Sequence, residues 1–324
     1  MQAFTLTHPS DAKTAVAAAS QARAKYIAGG TDLLQLAKDN VETPTRLVDL
    51  EALGIAGIRP GATGLHLEPL ARMSDVAAHP DVVKGWPVLS QALLASASPQ
   101  IRNMGTMGGN LLQRTRCGYF RDTGFACNKR TPGSGCPAIN GENRMHAILG
   151  GSDHCIATYP GDMAVAMTVL DAELELTGQN GTRKVAIGDF HKVPGDTPDV
   201  ETVLQPGEMI SGIDIAASAM ARRSHYLKVR DRASFEFALV SAAVALDIDG
   251  GTIRSARVAA GGVGTKPWRL PEVEAALTGK PADAATLKQA ADQSGAGAKP
   301  ARMNGFKLVL LRRTVLRALQ TVSA

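Results

Sequence analysis

Four cysteines, Cys117, Cys127, Cys136 and Cys155, are the only thiols in a chain of 324 residues. All lie in one segment, RTRCGYFRDTGFACNKRTPGSGCPAINGENRMHAILGGSDHC, from Arg114 to Cys155, with nine, eight and eighteen residues between them. Four thiolates make a complete ligand set for Zn²⁺ or for a [4Fe–4S] cluster. Structural zinc favours C-x₂₋₄-C knuckles, and none is present. One ligand per loop suits a larger cluster, although the spacing is not the common ferredoxin run. Two disulfides or four free thiols are the other readings, and disulfides would require an oxidising compartment. Pro132, Gly133, Gly135 and Pro137 supply turns to aim the sulfurs. Between Arg114 and Arg144 six basic residues (114, 116, 121, 129, 130, 144) face two acidic ones (Asp122, Glu142), a local charge of +4. Such surroundings would stabilise an anionic cluster and raise its potential. Tyr119, Phe120 and Phe125 are candidates to shield it from water. His146 and His154 read as surface residues or neighbours of the ligands.

Two glycine-rich loops carry a second kind of chemistry. In KYIAGGTDLL, Gly29 and Gly30 separate a strand from a helix. Glycines there let a backbone approach a ligand closely, and a helix N-terminus offers free N–H groups and partial positive charge. In SPQIRNMGTMGGNLL (98–112), Gly105, Gly108 and Gly109 alternate with Thr106 and Asn110, which can bond phosphate or ribose oxygens. Neither G-x-G-x-x-G nor G-K-[ST] occurs in the first loop, so neither a Rossmann site nor a P-loop is supported. Two such loops in one chain favour a large dinucleotide gripped from two sides over a pair of ligand-free turns.

The elements that must position these loops alternate at first. AFTLT, KYIA (25–28) and TRLVDL (45–50) read as strands. Ser10 is placed to cap an Ala-rich helix through about Arg23, and Thr31 to cap DLLQLAKDN. GIRPGATGLHLEPL reads as a hairpin, and SDVAAHPDVVKGWPVLSQALLASAS as helix broken at its prolines. CIATY, AELELTG, TRKVAIG and EMISGIDI follow as strands of a mostly antiparallel sheet, with a helix at DMAVAMTVLDA. Beyond AASAMARRS (216–224) three strands are expected, the last two joined at Asp249-Gly250-Gly251. Helices run to the end, the last (FKLVLLRRTVLRALQ) basic and amphipathic and best read as packed on its own sheet.

Composition excludes several classes. Net charge is +5, but Lys and Arg are scattered, which argues against nucleic acid; a docking surface for an acidic partner is compatible with it. No stretch reaches the roughly 18 apolar residues of a membrane span. MQAFTLTHPSDAK lacks a basic start followed by an apolar core, so no export signal is expected. No Ser–His–Asp set or paired carboxylate calls for a catalytic residue in this chain.

In order along the chain, AGGTDLL, IRNMGTMGGNLL, SDHCIATYPGDMAVAMTVLDAELEL and KVRDRASFEFALVSAAVAL resemble the FAD-binding subunit of the molybdenum hydroxylases, the family of xanthine dehydrogenases, carbon monoxide dehydrogenase and aldehyde oxidoreductases. The likeness runs from about residue 3 to 320. It implies an α+β protein with an FAD-binding fold of the vanillyl-alcohol-oxidase/PCMH type. The expected units are residues 1–54 and 55–220, two FAD-binding subdomains, and residues 221–324, a C-terminal α+β domain with a three-stranded antiparallel sheet. The segment 114–155 reads as an insert after GGNLL. It resembles the one in periplasmic aldehyde oxidoreductases, whose flavin subunit carries a [4Fe–4S] cluster.

By motif position, the resemblance implies that Lys25, Tyr26, Ile27, Ala28, Gly29, Gly30, Thr31, Asp32 and Leu33 wrap the FAD diphosphate. Arg102, Asn103, Gly105, Thr106, Gly108, Gly109 and Asn110 form the second loop, with Thr106 on phosphate or ribose. Asp162 would bind the adenosine end, Lys228 would sit near the flavin and Ile210 beside its ring. Read without the resemblance, Asp162 is a helix cap and Lys228 an exposed strand residue. The implied function is electron transfer. FAD takes electrons from a molybdenum-cofactor large subunit through [2Fe–2S] clusters on a small subunit and delivers them to an external acceptor. The implied substrate is an aldehyde, handled by a partner chain. Alternatives are a xanthine-type or other N-heterocycle hydroxylase, a stand-alone flavin oxidoreductase, and a non-catalytic cluster carrier. The subgroup implies the periplasm, reached by co-export with a partner; the sequence alone is equally compatible with the cytoplasm.

Overall fold

The computed structural model describes residues 1–324. The first strands, β1 (Thr5–Thr7), β2 (Ala24–Ile27) and β3 (Arg46–Asp49), form a parallel sheet in the order β1-β3-β2. Parallel neighbours need crossovers, supplied by the helices Ala12–Ala19 and Leu33–Lys38. The first is capped by Asp11, whose carboxylate accepts from Thr14 N at 2.8 Å, and it ends at Ala19, so the expected cap at Ser10 and end at Arg23 are corrected. Asp11 wins because its carboxylate stands one residue nearer the orphan N–H groups. Thr31 does not cap the second helix either. Asp32 occupies that position with no side-chain cap bond, because its carboxylate is engaged elsewhere.

The second sheet joins β4 (Ile58–Pro60), β5 (Gly64–Leu67), β6 (Glu173–Gly178), β7 (Gly181–Ala186) and β8 (Met209–Ala216) in the order β4-β5-β8-β6-β7, antiparallel throughout. β5 pairs β8 across nearly 150 residues of sequence, and the helices of 73–111 and the cysteine segment fall within that span. The helix Asp162–Val169, packed against the helix Pro87–Ala95 and the C-terminal sheet, has all eight residues buried. A helix buried on every side has no solvent face to present.

CIATY, expected as a strand, is irregular. Its backbone groups find scattered partners: Ile156 O accepts from Ala147 N, Cys155 O from Ser152 N, and Tyr159 N donates to Gly264 O. A single neighbouring strand never lines up with it, so no ladder forms.

The third sheet, β9 (Ser224–Val229), β10 (Val240–Asp249), β11 (Thr252–Gly261) and β12 (Trp268–Arg269), is antiparallel in the order β12-β11-β10-β9. It has four strands where three were expected; two residues of β12 are too few for alternation to register. Gly250 (φ 55°) and Gly251 (φ 79°) make the expected turn, in a left-handed backbone that favours glycine. The two faces of β10 enter different cores. Val240, Ala242, Val244 and Leu246 pack with Leu311, Val315 and Leu319 of the terminal helix Phe306–Ser323. Ala243 and Ala245 join Tyr226 and Ala259 in the large core that holds Leu89, Leu93 and Met163.

Candidate cofactor site

The two glycine loops meet face to face. Gly29 lies so close to the Met104 carbonyl and Gly105 that any Cβ at position 29 would overlap that oxygen. Gly30 has φ 67°. Ser98 caps the helix Pro99–Met104, and Thr106 caps Met107–Leu111 with its hydroxyl oxygen 3.2 Å from Gly109 N. Met73 N donates to Gly105 O at 2.9 Å and Gly108 N to Pro69 O at 2.8 Å, so the second loop is anchored to the chain before it. These walls enclose a cavity of about 930 Å³, in the range of large ligand sites.

All of Lys25 to Leu33 line the cavity, as do Gly105, Thr106, Gly108, Gly109, Asn110, Asp162, Ile210 and Lys228. Arg102 and Asn103 do not. Arg102 turns its guanidinium to Ser96 O at 2.7 Å, and Asn103 is exposed. Asp162 and Lys228 form a buried ion pair at 2.8 Å, with Tyr226 Oη and Ser96 Oγ also donating to the carboxylate at 2.6 and 3.0 Å. Lys228 donates as well to Ala95 O. It is therefore a paired, buried residue at the cavity wall, and Asp162 is no helix cap.

Several cavity residues escaped the sequence reading. His191 is buried, its Nε2 2.9 Å from the carbonyl of Leu111 and its ring 4.5 Å from that of Tyr159. A carbonyl can only accept, so Nε2 carries the proton and Nδ1 is a bare acceptor with no partner. Burial pushes its pKa down to about 4, so the ring stays neutral. Asn110 Oδ1 is a second buried acceptor without a partner. Two unmatched acceptors in the wall suit a ligand rich in hydroxyl and N–H donors, and an FAD fits that chemistry. Nothing in the sequence around His191 (GDFHKV) marks it. Tyr26, on β2, donates its hydroxyl to Gly207 O at 2.7 Å and ties the first loop to the chain before β8.

The cysteine segment packs directly against this cavity. Cys117, Cys127, Cys136 and Cys155 line one small pocket with Tyr119, Phe120 and Ala138. All four are unbridged. Nowhere do three His, Cys, Asp or Glu residues converge tightly enough to hold a single metal ion. Burial pushes the Cys117 thiol up to about 11 and raises Cys136 and Cys155 as well. Phe120 is buried, whereas Phe125 is 46% exposed and lies outside the pocket, stacked edge-on against Tyr119. Cys155, Ala157 and Lys129 border both this pocket and the large cavity, so a wall one residue thick separates them.

The expected basic field around the sulfurs is corrected. Arg116 and Arg121 bind Asp32 of the first glycine loop at 3.0 and 2.8 Å, and Arg114 N donates to the same carboxylate at 2.8 Å. Arg114 also binds Glu42 and, at 2.5 Å, Glu201, which Lys129 reaches at 2.9 Å. Arg144 chelates Asp231 at 2.8 and 3.0 Å, and Arg130 donates to the carbonyls of Tyr119, Phe120 and Phe125. Five of the six cations are neutralised by carboxylates that all lie outside the segment, and they act as clamps. Only Lys129 is close enough to favour the thiolate of Cys155.

Comparison with known proteins agrees with this geometry. Residues 2–217 match the FAD binding domain in molybdopterin dehydrogenase, and residues 225–322 the CO dehydrogenase flavoprotein C-terminal domain. The chain is 47% identical to the aldehyde oxidoreductase FAD-binding subunit PaoB of Escherichia coli (strain K12), over 100% of this chain and 99% of the relative. It is 28% identical to the carbon monoxide dehydrogenase medium chain of Afipia carboxidovorans, over 91% and 88%. Among solved structures, quinoline 2-oxidoreductase from Pseudomonas putida 86 superposes with a TM-score of 0.76 over 99% of this chain and 97% of that one, at 24% identity. That likeness concerns the fold alone.

Proposed function

The chain belongs to the family of FAD-binding subunits of molybdopterin-dependent dehydrogenases, and from that membership we propose that it is the electron-transfer flavin subunit of a molybdenum-dependent aldehyde oxidoreductase. The observation that carries the substrate class is the 47% identity to an aldehyde oxidoreductase subunit along the whole length of both chains. FAD, when bound, supplies the two-electron chemistry that links a molybdenum centre on a partner chain to an external acceptor. The residues here position and enclose it. Gly29 lets the first loop lie against the second, Thr106 holds the second loop's helix start, and Asn110 and His191 offer acceptors to the ligand's donors. The partners read as a molybdenum-cofactor large subunit and a [2Fe–2S] small subunit, in a heterotrimer.

The test is purification of the intact complex beside the isolated chain. The complex oxidises aldehydes and carries about one FAD per flavin subunit, while the isolated chain retains flavin without turnover. Aldehyde oxidation by the single chain makes it a stand-alone oxidoreductase. A complex that accepts purines or other N-heterocycles and rejects aldehydes moves it to that branch.

The second cofactor we propose is a [4Fe–4S] cluster on Cys117, Cys127, Cys136 and Cys155. Its support is the donor set: four unbridged thiols around one pocket, spread too widely for a single ion. A mononuclear zinc site would draw its sulfurs to within about 4 Å of one another, given Zn–S bonds near 2.3 Å. Iron and acid-labile sulfide near four each per chain are expected; zinc without iron sinks the assignment. The residence we propose is the periplasm, reached folded with a partner that bears the export signal. The support is the likeness of the 114–155 insert to that subgroup. Cell fractionation that leaves the complex in the cytoplasm overturns it.

A further inference from the structure

Outside the flavin cavity one buried histidine touches a cysteine sulfur and has no assigned role. His146 is 6% exposed. Its Nε2 lies 3.2 Å from Cys117 Sγ, and its Nδ1 has no partner. The backbone that carries the ring is held firmly. His146 N donates to Asn143 O at 3.0 Å, and the His146 carbonyl accepts from Asn304 Nδ2 at 3.2 Å and from Lys307 Nζ at 3.0 Å. Lys307 is itself fully buried and binds the carbonyls of Met145 and Gly262 at 3.0 and 2.7 Å, without a carboxylate. A lysine buried without a counter-charge is costly. Here it fixes the backbone that carries His146. The imidazole leans on Tyr119, with 6.3 Å between ring centroids.

The six cations of the segment are bound to carboxylates or carbonyls, and only Lys129 favours a thiolate, that of Cys155; at Cys117 the side-chain contact within hydrogen-bond distance is His146. A hydrogen bond to a cluster-ligating sulfur draws electron density from it and raises the reduction potential. We propose that His146 is the positioning residue that sets the potential of the cysteine-held cluster, by donating Nε2–H to Cys117 Sγ, with Lys307 and Asn304 fixing its aim. This rests on the cluster reading above.

The experiment is an anaerobic redox titration of the purified full complex, followed by electron paramagnetic resonance. His146→Leu removes the donor and His146→Gln keeps one. Iron and sulfide are first counted in each protein. His146→Leu is expected to keep its iron and to titrate at a more negative midpoint. The shift should be at least tenfold in the reduced-to-oxidised ratio at fixed poise, which is about 59 mV for a one-electron couple. His146→Gln should lie between it and the wild type. An iron-loaded His146→Leu protein with an unchanged midpoint overturns the proposal. Should that variant lose its cluster, the wild-type protein decides. A hyperfine coupling between the reduced cluster and ¹⁵N-labelled histidine, with an exchangeable proton lost in D₂O, supports the proposal, and its absence overturns it. A wild-type complex without iron fails at the count, which defeats the cluster reading itself and this proposal with it.

Discussion

Gly29 shows how narrow the tolerance of the cavity is. A single methyl group there meets backbone, the Met104 carbonyl, which cannot swing aside as a side chain would. Gly29→Ala should therefore part the two loops and lower the FAD content of the purified chain severalfold, read from extracted flavin per polypeptide; full occupancy in the variant refutes the close approach as a requirement. Lys228 presents a different constraint. Removing it leaves the Asp162 carboxylate buried with hydroxyl donors alone, and breaking a buried pair costs about 3–5 kcal/mol. Lys228→Met should lower urea stability by that amount, and a loss below about 1 kcal/mol contradicts the pair's structural role. The glycines and cysteines were legible in the sequence because their chemistry follows from residue type and local spacing. The Asp162–Lys228 pair and His191 were not: their partners lie 66 and 80 residues away, and an unmatched acceptor has no mark in sequence.

At the scale of elements, the cysteine segment is fastened by ion pairs to the loops that make the flavin cavity. Its net charge was readable, but the direction of its side chains was not, since Asp32, Glu42 and Glu201 are remote in sequence. Asp32 takes three donors from the segment. Asp32→Ala should cost about 2–3 kcal/mol, hydrogen bonds to charged groups being individually stronger than neutral ones. It should also open residues 114–155 to trypsin before the rest of the fold; an unchanged cleavage pattern argues against the clamp. Glu201 adds a pH dependence. Burial raises its pKa, but Arg114 and Lys129 outweigh that and hold it below the usual glutamate value. Its contribution is thus fully present above about pH 4.3, the unfolded value, and is lost as pH falls through the lower folded value. Limited proteolysis with an acid-active protease across pH 5 to 3 should release the segment progressively, and Glu201→Gln should release it at neutral pH. β6, with clean alternation, and β10, a continuous run buried on both faces, were readable, whereas Cys155–Tyr159 was apolar enough for a strand but has no neighbouring strand to pair with.

For the whole molecule, the decisive feature is that the third sheet belongs to two cores. Even-numbered residues of β10 pack under the terminal helices, and Ala243 and Ala245 pack into the core of the flavin-binding part. Such a shared sheet couples the two halves, which should unfold in one cooperative transition. The two tryptophans report on this separately: Trp86 is in the large core and Trp268 packs against the C-terminal one. Single-tryptophan proteins made by Trp86→Phe and Trp268→Phe should each show one urea transition, with midpoints that agree after correction for the stability of each variant. Two separated steps within one protein would mean that the halves fold independently.

The cavity's walls come mainly from residues 24–42, 105–116, 155–162, 191–210 and 228–237. During synthesis on a ribosome the first glycine loop therefore emerges with neither its facing loop nor the guanidinium groups that grip Asp32, and the last wall emerges some two hundred residues later. A nascent chain cannot close around its dinucleotide as it grows. Loading belongs to the period after about three-quarters of the polypeptide has been made, and a chain truncated before Phe237 would be released without a complete seat for the flavin.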